Sequence, residues 1–75
     1  MKLHVEGKAI DGTHVKESRP GPIPRGVYNV ARVRRSNYGK EIVPWIVIVG
    51  GSSQNMGFPE SQLNTMKNVR LEEEG

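Results

Sequence analysis

Residues 42–49 read Ile-Val-Pro-Trp-Ile-Val-Ile-Val, and this stretch decides the fold. It holds the only tryptophan of the chain and no charge, and its valines and isoleucines favour extended backbone. We therefore predict the central strand of a small β domain. A run this apolar needs cover on both faces. The N-terminal hairpin and proline-rich loop, or another protomer, must supply the second cover, and we expect Ile46 and Ile48 to face outward there as an interface.

Length and composition set the limits of the fold. The 75 residues predict one domain over 1–75, with an acidic tail at 71–75 that frays. Apolar residues make up 35% of the chain, which is low for a compact core. There is no cysteine for a disulfide or a thiolate zinc site, and no apolar run long enough for a membrane helix. We expect a soluble cytoplasmic protein with no membrane partner.

Turn signals mark the first third of the chain. Asp11-Gly12 lies between two extended segments and predicts a tight hairpin with Ile10 opposite Thr13, because a type I′ turn needs positive φ at both central positions. Residues 18–26 carry prolines at positions 20, 22 and 24. Proline removes a backbone donor and fixes φ, so we predict an ordered extended loop that joins neither a helix nor a ladder.

Short strands and turns fill the remainder. A strand over 27–35 has apolar residues on both faces, which predicts a bulge near Ala31 or Arg32 or a sharp bend. Composition further predicts turns over 36–40 and 50–55, a strand over 56–58, a 3-10 turn over 59–63 and a last strand over 69–71. The predicted fold is all-β with about five short strands.

Two segments carry a resemblance. Residues 26–30, Gly-Val-Tyr-Asn-Val, form a glycine-led strand, and residues 58–63 read Phe-Pro-Glu-Ser-Gln-Leu. The order of features over residues 24–63 resembles short SH3-like β-barrel proteins of bacteriophage and mobile-element genomes, in which such segments open and close the barrel. The matching positions are Gly26, Tyr28, Val30, Phe58, Pro59, Ser61 and Leu63. The resemblance implies a small SH3-like barrel and a phage-encoded protein in the cytoplasm of a bacterial host.

The middle of the chain is basic. Between Ser18 and Lys40 there are six cations and no acid, within a net charge of +3. Such a cluster indicates an anionic partner, although surface arginines also keep small domains soluble. Arginine donates paired hydrogen bonds to phosphate, and tyrosine offers a plane for stacking. The candidate ligand-binding residues are Arg32, Arg34, Arg35, Tyr38 and Lys40, with Ser52 and Ser53 of the Gly-Gly-Ser-Ser loop.

Catalysis is not expected from these residues. His4 and His14 have no evident third ligand, so we predict no metal site, and nothing indicates a cofactor. Ser52 and Ser53 lack the strand-turn-helix context of a hydrolase nucleophile.

The function that the sequence favours is a non-catalytic binding protein, which engages a nucleotide or nucleic acid through its Arg-rich hairpin. The alternative is a protein that binds an acidic host protein and inhibits or redirects it, with a homo-oligomer as a variant. A structural domain with no ligand is the third hypothesis.

Overall fold

The structure, a computed structural model, describes residues 1–37 and 39–73. Within them the chain forms antiparallel strands and one 3-10 helix in the order β1 (Lys2–Val5), β2 (Ile10–His14), β3 (Arg19–Ile23), β4 (Gly26–Ser36), β5 (Ile42–Ile48), β6 (Met56–Pro59), the 3-10 helix (Glu60–Thr65) and β7 (Val69–Glu72). The strands make one sheet in the order β3-β2-β6-β5-β4-β1-β7. No pairing joins β3 to β7 in the described part of the chain, so the sheet is open. The all-β prediction is confirmed, whereas a closed barrel is not.

The Trp45 strand, β5, lies in the middle of the strand order between β4 and β6. Its register places Ile48 opposite Val30 and Ile46 opposite Phe58. Because directly opposed residues share a face of the sheet, these four side chains point the same way, and Trp45 points the other way. The predicted central strand is confirmed.

The main core lies on the Ile46 face of β5. Ile46 and Ile48 are fully buried there, together with Leu3, Val5, Ile23, Val30, Met56 and Phe58. The expectation that Ile46 and Ile48 face outward and form an interface is therefore wrong. Alternation along β5 places Trp45 and Val47 on the outer face instead, and both are buried as well.

The outer face of β5 is covered from within the chain. Trp45 is only 1% exposed, and the guanidinium carbon of Arg35 lies 4.6 Å from the centre of its ring. Arg35 also donates a 3.0 Å hydrogen bond from Nη1 to the carbonyl oxygen of Val15, in the turn between β2 and β3. Of the two covers that the sequence left open, the N-terminal hairpin is the one observed.

The predicted Asp11-Gly12 turn is wrong, because both residues lie inside β2. Gly12 is opposite Gly21 of β3. A Cβ atom on Gly12 would lie 2.5 Å from Cδ1 of Ile23. The glycine therefore makes room for a core side chain and does not supply a turn.

The proline-rich segment is also not a loop, since Arg19–Ile23 forms the edge strand β3. Pro20 lies opposite Thr13 and Pro22 opposite Asp11. Proline is tolerated at an edge where its nitrogen faces away from the neighbouring strand, and prolines at alternate positions both satisfy this condition. The hairpin turn is at residues 15–18, where Ser18 has φ +53° and its N–H bonds the His14 carbonyl.

Strand β4 pairs first with β1, over residues 26–29, and then with β5, over residues 30–36. Both registers run without a skipped residue, so the predicted bulge at Ala31 or Arg32 is absent from the paired segments. The turn predicted over 36–40 falls between β4 and β5, and the turn predicted over 50–55 falls between β5 and β6. The predicted strand over 56–58, the 3-10 turn and the last strand are confirmed.

The C-terminal segment is paired as far as β7. The sequence predicts fraying over 71–75, whereas Leu71 and Glu72 lie in β7 opposite Leu3 and Lys2. Residues 74 and 75 lie outside the described residues. No described helix has both the length and the apolar content to cross a membrane.

Removing the Trp45 side chain should destabilise the domain severely. We expect Trp45→Ala to lower the free energy of unfolding by about 3–5 kcal/mol, because it empties the space between β5 and Arg35. Ile42→Ala is the control in the same strand. Ile42 is 55% exposed, so its loss should change stability by only about 0.5 kcal/mol. Urea unfolding monitored by circular dichroism measures the free energy of unfolding of both variants. Equal losses would contradict the burial of β5 on both faces of the sheet.

Candidate functional site

The predicted basic surface is divided between the two faces of the sheet. Alternation along β4 places Arg32 and Arg34 on one face and Arg35 on the other. Lys40 is exposed in the turn after β4. Tyr38, the predicted stacking residue, lies outside the described residues. The arginines of β4 therefore have different surroundings and do not act as one patch.

Arg32 is neutralised within the chain. Its Nε donates to Glu60 at the start of the 3-10 helix, and its Nη2 lies 2.6 Å from an oxygen of Glu73. These two hydrogen bonds, the one to Glu60 first, raise the pKa of Arg32 above its usual value. An anionic ligand at Arg32 would have to displace two carboxylates.

Arg34 and Lys40 keep their charges in water. Both are exposed, and neither makes an ion pair with any residue that the structure describes. Ser52 is exposed and Ser53 is buried in the turn after β5. Seven residues of strand separate this turn from the one that holds Lys40, a span of about 20 Å. The serines and the basic turn therefore do not converge on one ligand.

Arg35 lines a cavity of about 290 Å³ on the outer face. The lining residues are Thr13, Ser18, Arg35, Ser36, Gly39 and Trp45. Thr13 comes from β2, Ser18 from the turn over 15–18, and Ser36 from the end of β4. The wall thus combines a cation with the hydroxyl-bearing residues Thr13 and Ser18, whereas alternation along β4 places the Ser36 side chain on the opposite face. We call this space the Arg35 cavity.

The guanidinium of Arg35 offers its charge to the cavity. Nη1 bonds Val15, while Nε is buried and has no hydrogen-bond partner among the described residues. Nε is closed to solvent, so an anion that enters the cavity meets the charge of the guanidinium and not the Nε–H group. Trp45 and the Val15 carbonyl hold the group in one orientation. The arrangement suits an anion that enters the cavity.

Sequence reasoning identified Arg35 but not its neighbours. Ser36 is adjacent to Arg35 in the chain, whereas Thr13 and Ser18 approach it only because the turn over 15–18 folds across the outer face. Its glycine-free sequence, Val15-Lys16-Glu17-Ser18, gives no strong turn signal. The sequence prediction places the hairpin turn at Asp11-Gly12, several residues before its actual position. A local sequence pattern therefore could not reveal that Thr13 and Ser18 lie near Arg35.

The histidines lie apart. His4 is in β1 and His14 in β2, which are not neighbours in the sheet. His4 Nε2 is 3.6 Å from an oxygen of Glu72, across the β1–β7 pair. No cluster of three or more His, Cys, Asp or Glu side chains suited to a metal ion occurs in the described ranges.

The unequal surroundings of Arg32 and Arg34 predict unequal effects on stability. Arg32→Gln should lower the melting temperature at low salt, because Glu60 and Glu73 lose their shared cation. The loss should shrink in 1 M NaCl, where the Debye length is about 3 Å. Arg34→Gln removes the same charge from the same face of β4 and should leave the melting temperature unchanged. Differential scanning calorimetry at both salt concentrations tests this, and similar losses in the two variants would contradict the ion-pair assignment.

Comparisons of the chain with protein-family models, with curated proteins and with solved structures found no match. The candidate site therefore stands on the geometry of the Arg35 cavity alone.

Proposed function

We propose that this chain is a small non-catalytic binding protein whose ligand is an anionic nucleotide, held in the Arg35 cavity. The observation that carries the proposal is the half-buried guanidinium of Arg35, which lines the cavity. A phosphate in the cavity gains the attraction of a fixed positive charge that water screens only in part. The hydroxyls of Thr13 and Ser18 supply hydrogen bonds around the same anion.

A mononucleotide fits this proposal better than a nucleic-acid strand. Binding of single strands relies on a basic groove and on exposed aromatic rings on which bases stack. Trp45 is buried beneath Arg35, and Arg32 is paired with two carboxylates. The exposed cations Arg34 and Lys40 remain to attract an anion toward the cavity by long-range electrostatics.

Binding without chemistry accords with the lining residues. The hydroxyls of Thr13 and Ser18 are nucleophiles only when a base removes their proton. The cavity wall holds no carboxylate or histidine among its described lining residues. These groups orient an anion and hold it.

The second candidate function is modulation of a host protein by a phage-type protein, and one feature favours it. Val27, Val33 and Val49 are 60%, 38% and 49% exposed. Val27 and Val33 share a face of β4, and the N–H of Val49 bonds Asn29 of the same strand. Apolar side chains grouped on a sheet face are a feature of protein contact sites, including contacts between copies of one chain.

The central test compares two arginine-to-lysine variants. Arg35→Lys keeps the charge but loses the guanidinium that Trp45 and the Val15 carbonyl hold in one orientation, so we expect the affinity for a nucleoside monophosphate to fall about ten-fold or more. Arg34→Lys, at the adjacent exposed position, should change it less than about two-fold. Isothermal titration calorimetry with the folded variants measures both. If affinity instead grows with oligonucleotide length and both variants lose it equally, the cavity is not the site.

Arg35 also covers Trp45, so its replacement can destabilise the domain. Ser18→Ala and Thr13→Val change cavity hydroxyls without touching the Arg35–Trp45 contact. Each should weaken nucleotide binding and leave the melting temperature of the free protein near its original value. Unchanged affinity in both hydroxyl variants would contradict the proposal, whatever the behaviour of Arg35→Lys.

A further inference from the structure

A second cavity adjoins the Arg35 cavity. Its volume is about 360 Å³, and it is lined by Asp11, Gly12, Thr13, Ser18, Pro20 and Gln62. Thr13 and Ser18 line both cavities, so the two spaces are neighbours with these residues at their common border. We treat the two spaces, from Arg35 at one end to Asp11 and Gln62 at the other, as one candidate cleft. We call it the two-part cleft.

The two ends of the cleft have opposite chemistry. Arg35 provides hydrogen-bond donors and a positive charge, whereas the carboxylate of Asp11 only accepts hydrogen bonds. Asp11 is exposed and makes no ion pair or side-chain hydrogen bond with the residues that the structure describes. Pro20 and Pro22 of the neighbouring strand have no N–H to offer it. Asp11 therefore remains available for a donor on a ligand.

The spacing keeps these two ends apart. Asp11 and Thr13 are two residues apart in β2 and share one face of the strand, about 7 Å from each other. Thr13 borders both parts of the cleft, and Arg35 lies beyond it. A ligand that fills the cleft thus presents an anion at one end and hydrogen-bond donors at the other.

We propose that the two-part cleft selects guanine nucleotides, with the phosphate at Arg35 and the base edge at Asp11. This inference rests on the proposed function, since it names the ligand of the same site. Guanine carries two adjacent donors, N1–H and the N2 amino group, which a carboxylate accepts together. Adenine presents an acceptor, N1, beside its amino group, so Asp11 would repel one of the two atoms. Gln62 has both a donor and an acceptor and can bond other base atoms.

Ribose is the competing partner for Asp11. A carboxylate also accepts hydrogen bonds from the sugar hydroxyls, as it does in dinucleotide-binding proteins. In that arrangement the protein would not distinguish one base from another. The guanine edge and the ribose hydroxyls each offer two donors to Asp11, so nucleotide selectivity is the property that separates the two arrangements.

The experiment measures the affinities of GMP, IMP and AMP for the full chain and for Asp11→Asn by isothermal titration calorimetry. IMP keeps N1–H but lacks the N2 amino group. We expect the affinity for GMP to exceed the affinity for AMP by about ten-fold or more, and the affinity for IMP to lie between the two. In Asp11→Asn the preference for GMP should fall to about two-fold, while AMP binding is retained. Glu6→Gln removes an exposed carboxylate elsewhere and should preserve the selectivity.

The failures of the two proposals differ. If GMP and AMP bind equally to the original protein, the guanine inference is overturned and the proposed function stands. The inference is also overturned if Asp11→Asn weakens all three nucleotides alike in a folded protein, since that result places the carboxylate at the ribose. If neither a nucleoside monophosphate nor inorganic phosphate binds the original protein, the proposed function fails as well.

Discussion

The contact between Arg35 and Trp45 is the interaction on which the rest of the structure depends. A chain of 75 residues has one main core, yet its central strand is buried on both faces. A second apolar layer would need many more residues. Arg35 solves the problem because its cation lies over the indole ring while Nη1 donates a hydrogen bond to the Val15 carbonyl. One side chain thus covers Trp45 and attaches the β2–β3 turn to the sheet.

The same contact gives Arg35 a different chemical character from Arg34. Arg34 is exposed, so an ion pair there gains little after the cost of ordering the side chain. Arg35 is already held and partly removed from water by its structural contacts. An anion in the Arg35 cavity would meet a cation that needs no further ordering. Position in the fold, more than charge density in the sequence, therefore distinguishes the two adjacent arginines.

The sequence predicts the elements whose signals come from burial. The apolar run around Trp45, the 56–58 strand and the 3-10 turn after Phe58 all appear as expected. The errors occur where one residue type has two physical uses. Gly12 is needed for the space that Ile23 occupies, and Pro20 is tolerated because β3 is an edge strand. Only tertiary structure distinguishes these uses, and the predicted site failed to include Thr13 and Ser18 for the same reason.

Folding and ligand binding are coupled in this arrangement. Arg35 holds the turn over 15–18 in place, and that turn carries Ser18, which borders both parts of the two-part cleft. Any anion that bonds Arg35 in the folded state has no equivalent site in the unfolded chain. Its binding therefore adds to the free energy of unfolding by an amount that grows with ligand concentration. A domain of this size has a narrow margin of stability, so under the proposed function the Arg35 contact would set both how firmly the turn is held and how tightly an anion binds.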